Sequence, residues 1–161
     1  MANKKGYVNG SDILLYIGEK AVGHCTTHTT TFNAETKERA VKPGAAKGIS
    51  AGLWKGKGVV GLSIAISVEG LRFYGEDETG FKAILKAWKA GESIEVKCME
   101  RGVTENDTTA KPYLKGKFVI TKLDEQAPAQ DDTTFSCDLE NDGEPEVLDE
   151  SAITETPDSA T

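Results

Sequence analysis

Apolar and polar residues alternate along several stretches of the chain, most regularly in VVGLSIAISV, residues 59–68. Successive side chains of a β-strand point to opposite faces, so this pattern predicts a strand with one apolar and one small or polar face. The apolar face would carry Val60, Leu62, Ile64, Ile66 and Val68. Shorter alternating runs predict further strands at residues 93–99, 113–123 and 133–139.

One stretch has helical periodicity instead. Phe81, Ile84, Leu85 and Trp88 are spaced i, i+3, i+4 and i+7, and three lysines occupy another face. This spacing places the four apolar side chains on one side of an amphipathic helix. Thr79 is a candidate N-cap, and Gly91 follows the last turn, where glycine commonly ends a helix.

The beginning of the chain predicts a hairpin and a long threonine-rich strand. The run DILLYI, residues 12–17, is followed by a turn at residues 18–20, and GHCTTHTTTF follows at residues 23–32. Cys25 and His28 resemble half of a zinc site, but residues three apart in a strand face opposite ways. Cys98 and Cys137 stand alone in the sequence. We therefore expect three separate thiols, no metal and no cofactor.

These elements predict a mainly β protein. About six or seven strands and one helix, in an order that suits antiparallel pairing, indicate an antiparallel β-sandwich or partial barrel with one flanking α-helix. No phosphate-binding loop, nucleophile elbow or dinucleotide fingerprint occurs, and the carboxylates cluster in loops and tail. We expect neither an enzyme nor a membrane-spanning segment.

The charge is divided unevenly along the chain. The first 122 residues contain all 19 basic groups and 13 of the 26 acidic ones, a net charge of +6, whereas the last 39 residues carry −13. Residues 147–161 are acidic and poor in aromatics, which predicts a disordered tail beyond a domain at 1–146. We expect the oppositely charged segments to meet between copies of the chain.

Residues 36–58 show no sustained periodicity and combine six Lys or Arg with five glycines. A loop of this length inside a domain is usually functional or disordered. Because apolar residues are interspersed among the glycines, we predict a loop that becomes ordered against a neighbouring copy. The predicted interface residues are Lys37, Arg39, Lys42, Lys47, Ile49, Leu53, Trp54, Lys55 and Lys57.

Three segments follow one another in a characteristic order: the opening GSDILLYIGEKAVGHCTTHTTTFNAETKE, the helix GFKAILKAWKAGESIEVKC and the late segment YLKGKFVITKLDEQAPAQDDTTFSCDLENDGEPE. Together they resemble the major tail tube proteins of long-tailed phages and prophages. The resemblance covers roughly residues 8–146. It implies a structural subunit that forms stacked hexameric rings around an open lumen.

The same resemblance implies the partners and location of the protein. The chain would bind copies of itself, a tape measure protein and a tail terminator, and duplex DNA would pass through the lumen unbound. Ser63, Ser67, Ser93 and Glu95 are candidate lumen-facing residues. The subunit would assemble in the host cytoplasm and reside in the virion tail. The alternatives are a tube subunit of a type VI or other contractile injection system, and a monomeric immunoglobulin-like adhesion domain.

Overall fold

A computed structural model describes residues 7–39, 54–75, 78–100 and 111–153. Two 3₁₀ turns, at Gly10–Asp12 and Glu150–Ala152, stand near the two ends of this part of the chain. The regular elements are β1 Ile13–Ile17, β2 Lys20–Ala21, β3 Cys25–Arg39, β4 Gly56–Leu71, α1 Phe81–Ala90, β5 Ile94–Glu100, β6 Leu114–Gln126, β7 Thr134–Asn141 and β8 Val147–Leu148. The antiparallel β fold with one helix is confirmed.

All eight strands belong to one sheet, in the order β2-β1-β5-β6-β7-β4-β3, with β8 paired to the beginning of β6. Every strand pairing is antiparallel. An immunoglobulin-like domain requires two packed sheets. The described strands do not separate into two sheets, so that alternative is not supported.

The sheet curls strongly. Strands β2 and β3 occupy its opposite ends, yet only residues 22–24 connect them, a link that spans at most about 15 Å. The side chain of Thr30 on β3 also lies close enough to the Cys98 thiol on β5 to counteract part of the rise that burial causes in its pKa. These strands are four places apart in the sheet, about 19 Å if it were flat. The curl brings the two ends of the sheet together over one hydrophobic core.

The core lies on the concave face and is closed by α1. Ile84, on the inner side of the helix, is fully buried. The other buried apolar residues come from the strands and from Val22 in the short link: Leu15, Ile17, Val22, Ile64, Ile66, Val68, Val96, Cys98, Leu114, Phe118, Phe135, Cys137 and Leu139. Leu85 and Trp88, predicted on the same helical face as Ile84, remain 42% and 51% exposed.

The C-terminal end of the helix is capped as predicted, but the N-terminal end is not. Gly91 adopts the left-handed conformation (φ 68°) that ends α1, as predicted. The N-cap is Gly80 rather than Thr79. The buried Thr79 hydroxyl lies 3.1 Å from the carbonyl oxygen of Ile17 and 3.2 Å from that of Lys20. These two hydrogen bonds hold the residues just before α1 against the β1–β2 hairpin.

Regular secondary structure extends further towards the C-terminus than the sequence predicts. Val147 and Leu148 pair with Lys115 and Leu114 as strand β8, and Asp149 caps the turn that follows. A two-residue strand has too little periodicity to be recognised in sequence, and its stability comes from pairing with β6. The expectation of disorder is therefore wrong for residues 147–153, and residues 154–161 lie outside the described residues. Among the described helices, none is long and apolar enough to cross a membrane.

Candidate assembly interface

A two-stranded arm extends from the body of the sheet. β4 pairs with β7 only over residues 65–71, whereas residues 56–63 pair only with residues 33–39 of β3. Eight residues of extended chain measure about 26 Å. Where β4 leaves β7, the amide of Ile64 donates a hydrogen bond to the side-chain oxygen of Asn141 at 2.9 Å. This bond gives the amide a partner at the point where the pairing with β7 ends. We call residues 33–39 and 54–63, which include Trp54 and Lys55 just before β4, the arm.

One face of the arm continues the core face of the sheet without being covered. Ile64 and Ile66 are buried, but Leu62, the next residue on that face, is 78% exposed. Phe32 lies opposite Ile64 and is 57% exposed. A register shift brings Val59 opposite Thr36 on the same face, where it is 62% exposed. We call Phe32, Val59 and Leu62 the apolar strip.

The distal end of the arm is charged. The Lys55 and Lys57 ammonium groups lie 3.5 Å and 3.9 Å from the Glu38 carboxylate. Arg39 lies beside Gly58, where a Cβ atom would stand 3.6 Å from the guanidinium carbon. Such exposed pairs contribute at most about 1 kcal/mol each. They set the charge of the arm more than its stability.

The predicted loop at 36–58 is shorter than expected. Lys37, Arg39 and Lys57 lie on paired strands, so their assignment to a loop is wrong. An exposed ribbon buries neither face in the core, and for that reason it needs no alternation of apolar and polar residues. Trp54 and Lys55 precede β4, with Trp54 86% exposed. Lys42, Lys47, Ile49 and Leu53 lie outside the described residues.

Sequence reasoning missed the apolar strip because alternation placed Leu62 on an apolar strand face without indicating whether that face is covered. The pattern spanned residues 59–68 only and gave no sign that the strand is longer than its partner. β4 contains 16 residues and β7 contains eight, so about half of β4 has no second neighbour among the described strands. A two-stranded ribbon is marginally stable alone, and its exposed apolar face is typical of an interaction surface.

The outer edge of β3 is also available for pairing. No described strand pairs with it, and residues 25–32 of this edge contain no Asp, Glu, Lys or Arg. Proteins commonly protect edge strands with charges, because an open edge can pair with another chain. The threonine-rich edge lacks that protection along the body of the sheet.

The face of the sheet opposite the core is mostly polar, although Leu14, Leu71, Met99 and Val119 also lie on it. Ser67, Ser63 and Glu95 lie on it, because each alternates with a core-facing neighbour. Ser93 precedes β5 and is not part of a strand. Within the body of the described sheet this face carries nine charged residues, with a net charge of −1: Glu69, Glu95, Lys97, Lys115, Lys117, Lys122, Asp124, Asp138 and Glu140.

The candidate thiol and imidazole ligands are arranged differently from the prediction. A bulge between Cys25 and Thr27 adds one residue, so Cys25 lies opposite Gly70 and His28 opposite Val68. Both therefore lie on the core face, and the expectation that they point to opposite faces is wrong. Among the described residues, no group of three or more His, Cys, Asp or Glu side chains is placed to hold a metal.

Burial keeps the inner thiols protonated. It raises the pKa of Cys98 to about 11 and that of Cys137 to about 12, where the nearby Asp138 carboxylate adds to the effect. It also raises the pKa of the half-buried Cys25. A thiol is nucleophilic only as a thiolate, so these groups behave as small apolar side chains at neutral pH.

The structure is similar to solved tail tubes. The tail of an empty gene transfer agent particle aligns with a TM-score of 0.65 at 18% identity, over 88% of this chain and 98% of that one. The SPP1 tail tube aligns with a TM-score of 0.56 at 18% identity, over 93% and 87%. The sheath–tube complex of an extracellular contractile injection system, PVC, aligns with a TM-score of 0.54 at 14% identity, over 86% and 90%. At these identities the likeness shows the fold alone.

The sequence comparisons are more specific. No curated protein sequence matches the chain. A family described as phage tail tube protein matches residues 7–147, which include every described strand of the curled sheet except the last residue of β8. The chain therefore belongs to the phage tail tube protein family.

Proposed function

We propose that the protein is the structural subunit of a phage tail tube, in which copies of the chain form stacked six-membered rings around a lumen that conducts DNA. The observation that carries this proposal is the arm. Its apolar strip is exposed although it continues the core face, and no described strand pairs with the adjacent edge of β3. Further copies of the chain would bury the apolar strip and pair with the open edge.

The ring number is supported by one of the similar structures. The gene transfer agent tail that resembles this chain has C6 symmetry. A ring needs a heterologous contact, in which two different surfaces of each subunit meet. The arm and the opposite end of the sheet are different surfaces of one chain, so this requirement is met. Strand addition along β3 would join the sheets of neighbouring subunits into a larger barrel with an open channel.

The polar face of the sheet is suited to line the lumen. Duplex DNA carries one negative charge about every 1.7 Å, so a strongly basic channel would hold it by counterion release. The nine charged residues on this face leave a net charge of −1, with lysines and carboxylates interspersed. DNA passing such a surface meets no sustained attraction. Ser63, Ser67 and Glu95 belong to the proposed lining.

The proposed assembly places the subunit in the virion tail, after assembly in the host cytoplasm. A tape measure protein and a tail terminator would set the length of the tube. The tube of a contractile injection system is the second candidate, because the PVC sheath–tube complex shares the fold. The family match favours the phage tail.

Electron microscopy of the purified protein tests the proposal. We expect rings and tubes with sixfold symmetry as the protein concentration increases. Particles that remain compact monomers at every concentration, at both low and physiological salt, would overturn it. Hollow tubes with another rotational symmetry would retain the tube but contradict the hexameric ring.

A further inference from the structure

The arm combines exposed apolar side chains with an excess of positive charge. The apolar strip ends at Lys57, which lies two residues from Val59 on the same strand face. Within residues 33–39 and 54–63 there are four basic residues and two acidic ones. The described ion pairs of these lysines are both with Glu38, inside the arm. A surface that covers the arm must therefore be apolar at its centre and acidic around it.

Residues 142–153, which we call the C-terminal segment, have these properties. Leu148 is 56% exposed and Ile153 is 42% exposed. The same segment contains five exposed carboxylates and no basic residue: Asp142, Glu144, Glu146, Asp149 and Glu150. The hydroxyl and amide of Ser151 hold the pKa of Asp149 below its ordinary value, so its charge persists at mildly acidic pH.

The C-terminal segment is also held in place for docking. β8 pairs with the beginning of β6, and the amide of Asp149 donates to the carbonyl oxygen of Tyr113 at 2.9 Å. Lys115 approaches Glu146 at 3.5 Å. The segment therefore presents its exposed leucine and carboxylates from a fixed backbone, which lowers the entropic cost of binding.

We propose that the arm of one copy packs on the C-terminal segment of a second copy, with the apolar strip against Leu148 and Ile153 and the arm lysines against the surrounding carboxylates. This inference rests on the proposed self-assembly and names the two surfaces that meet. The contact is heterologous, because each copy contributes its arm to one neighbour and its C-terminal segment to another. The charges select the pairing and speed association, while the apolar side chains supply most of the affinity.

The contact is assigned between copies rather than within one chain. Among the described residues, no ion pair joins the arm to the C-terminal segment. The apolar side chains of both surfaces remain exposed in the single chain. Because no described part of the chain covers these side chains, we assign their covering to a second copy.

Charge reversal with rescue tests this pairing. The arm variant carries Lys55→Glu with Lys57→Glu, and the segment variant carries Glu144→Lys with Glu150→Lys. All four side chains are exposed, so folding should be preserved, which circular dichroism and thermal melting of dilute protein verify. A control with an equal charge change carries Lys82→Glu and Lys86→Glu on the exposed side of α1. The readout is the protein concentration at which tubes first pellet at low salt.

We expect each reversed variant to need at least about tenfold more protein to assemble, and the control to stay within about threefold of the wild type. An equimolar mixture of the two reversed variants, and a chain carrying all four substitutions, should recover assembly, because opposite charges then face each other again. Failure of both rescues, or a control impaired as strongly as the variants, would overturn the pairing. Wild-type protein that forms no tubes at all would instead overturn the proposed function.

Discussion

Leu62→Ala is expected to separate assembly from folding. Leu62 is 78% exposed in the single chain, so truncating it removes little packing and should change the free energy of unfolding by less than about 0.5 kcal/mol. Fully burying a leucine is worth about 1.5–3 kcal/mol. If a second copy covers Leu62, the truncation should cost on the order of 1–2 kcal/mol at each contact, since most of the side chain is still exposed before assembly.

This cost translates into a measurable change in assembly. Because 1.4 kcal/mol corresponds to a tenfold change in affinity, the concentration needed for tubes should increase about 5- to 30-fold. The matched control is Leu139→Ala in the same sheet. Leu139 is fully buried, and its truncation should cost about 2–5 kcal/mol of stability. That loss should lower the melting temperature by roughly 5–15 °C.

The assay pairs pelleting over a dilution series with thermal melting of dilute, unassembled protein. The reasoning requires Leu62→Ala to shift the first measurement and leave the second nearly unchanged. If Leu62→Ala melts as early as Leu139→Ala, the arm face is buried within the single chain. If it assembles at the wild-type concentration, the apolar strip lies outside the interface.

Three further outcomes follow from the titrating groups and the polar face. Burial lowers the pKa of His28 below 6.5, so the unfolded chain takes up a proton first as the pH falls. The free energy of unfolding, measured with denaturant, should therefore decrease below about pH 6.5, and His28→Gln should reduce that decrease. At pH 8 a thiol reagent should modify the half-buried Cys25 before the buried Cys98 and Cys137. Mass spectrometry at successive times measures the three modification rates, and equal rates would contradict the assigned burial. Asp138→Lys combined with Glu140→Lys changes the net charge of the polar face from −1 to +3 per subunit. Tubes of this variant should retain duplex DNA at low salt and release it at high salt. Wild-type tubes should not retain it.

The sequence predicted the elements whose pattern reflects burial. The helix at 81–90 was recognisable because Ile84 packs on the sheet while lysines face solvent, and Gly91 ends it in the left-handed conformation. The strand through Ile64, Ile66 and Val68 was recognisable because its alternate residues enter the core. In both cases the periodicity follows the covered side only in part, because Leu85 and Trp88 on the helix and Leu62 on the strand remain exposed.

The features that escaped prediction depend on contacts between distant residues. The bulge at Cys25/Thr27 changes which face a side chain occupies, and no local pattern marks it. The pairing of Val147 and Leu148 with β6 involves residues more than 30 positions apart. The arm was predicted as a loop at one end and as a strand with an apolar face at the other, because alternation predicts an apolar face without indicating which molecule covers it.

The two halves of β3 have different consequences for assembly. Along the body, residues 25–32 present an uncharged edge of mostly threonine, whose backbone groups suit strand addition but discriminate little between partners. Along the arm, residues 35–39 introduce Glu35, Lys37, Glu38 and Arg39 beside the apolar strip. These charges keep the exposed arm soluble and limit nonspecific pairing at its edge. In the proposed tube, backbone pairing along the body would provide contact area, while the charged arm would determine which surface of the next copy is accepted.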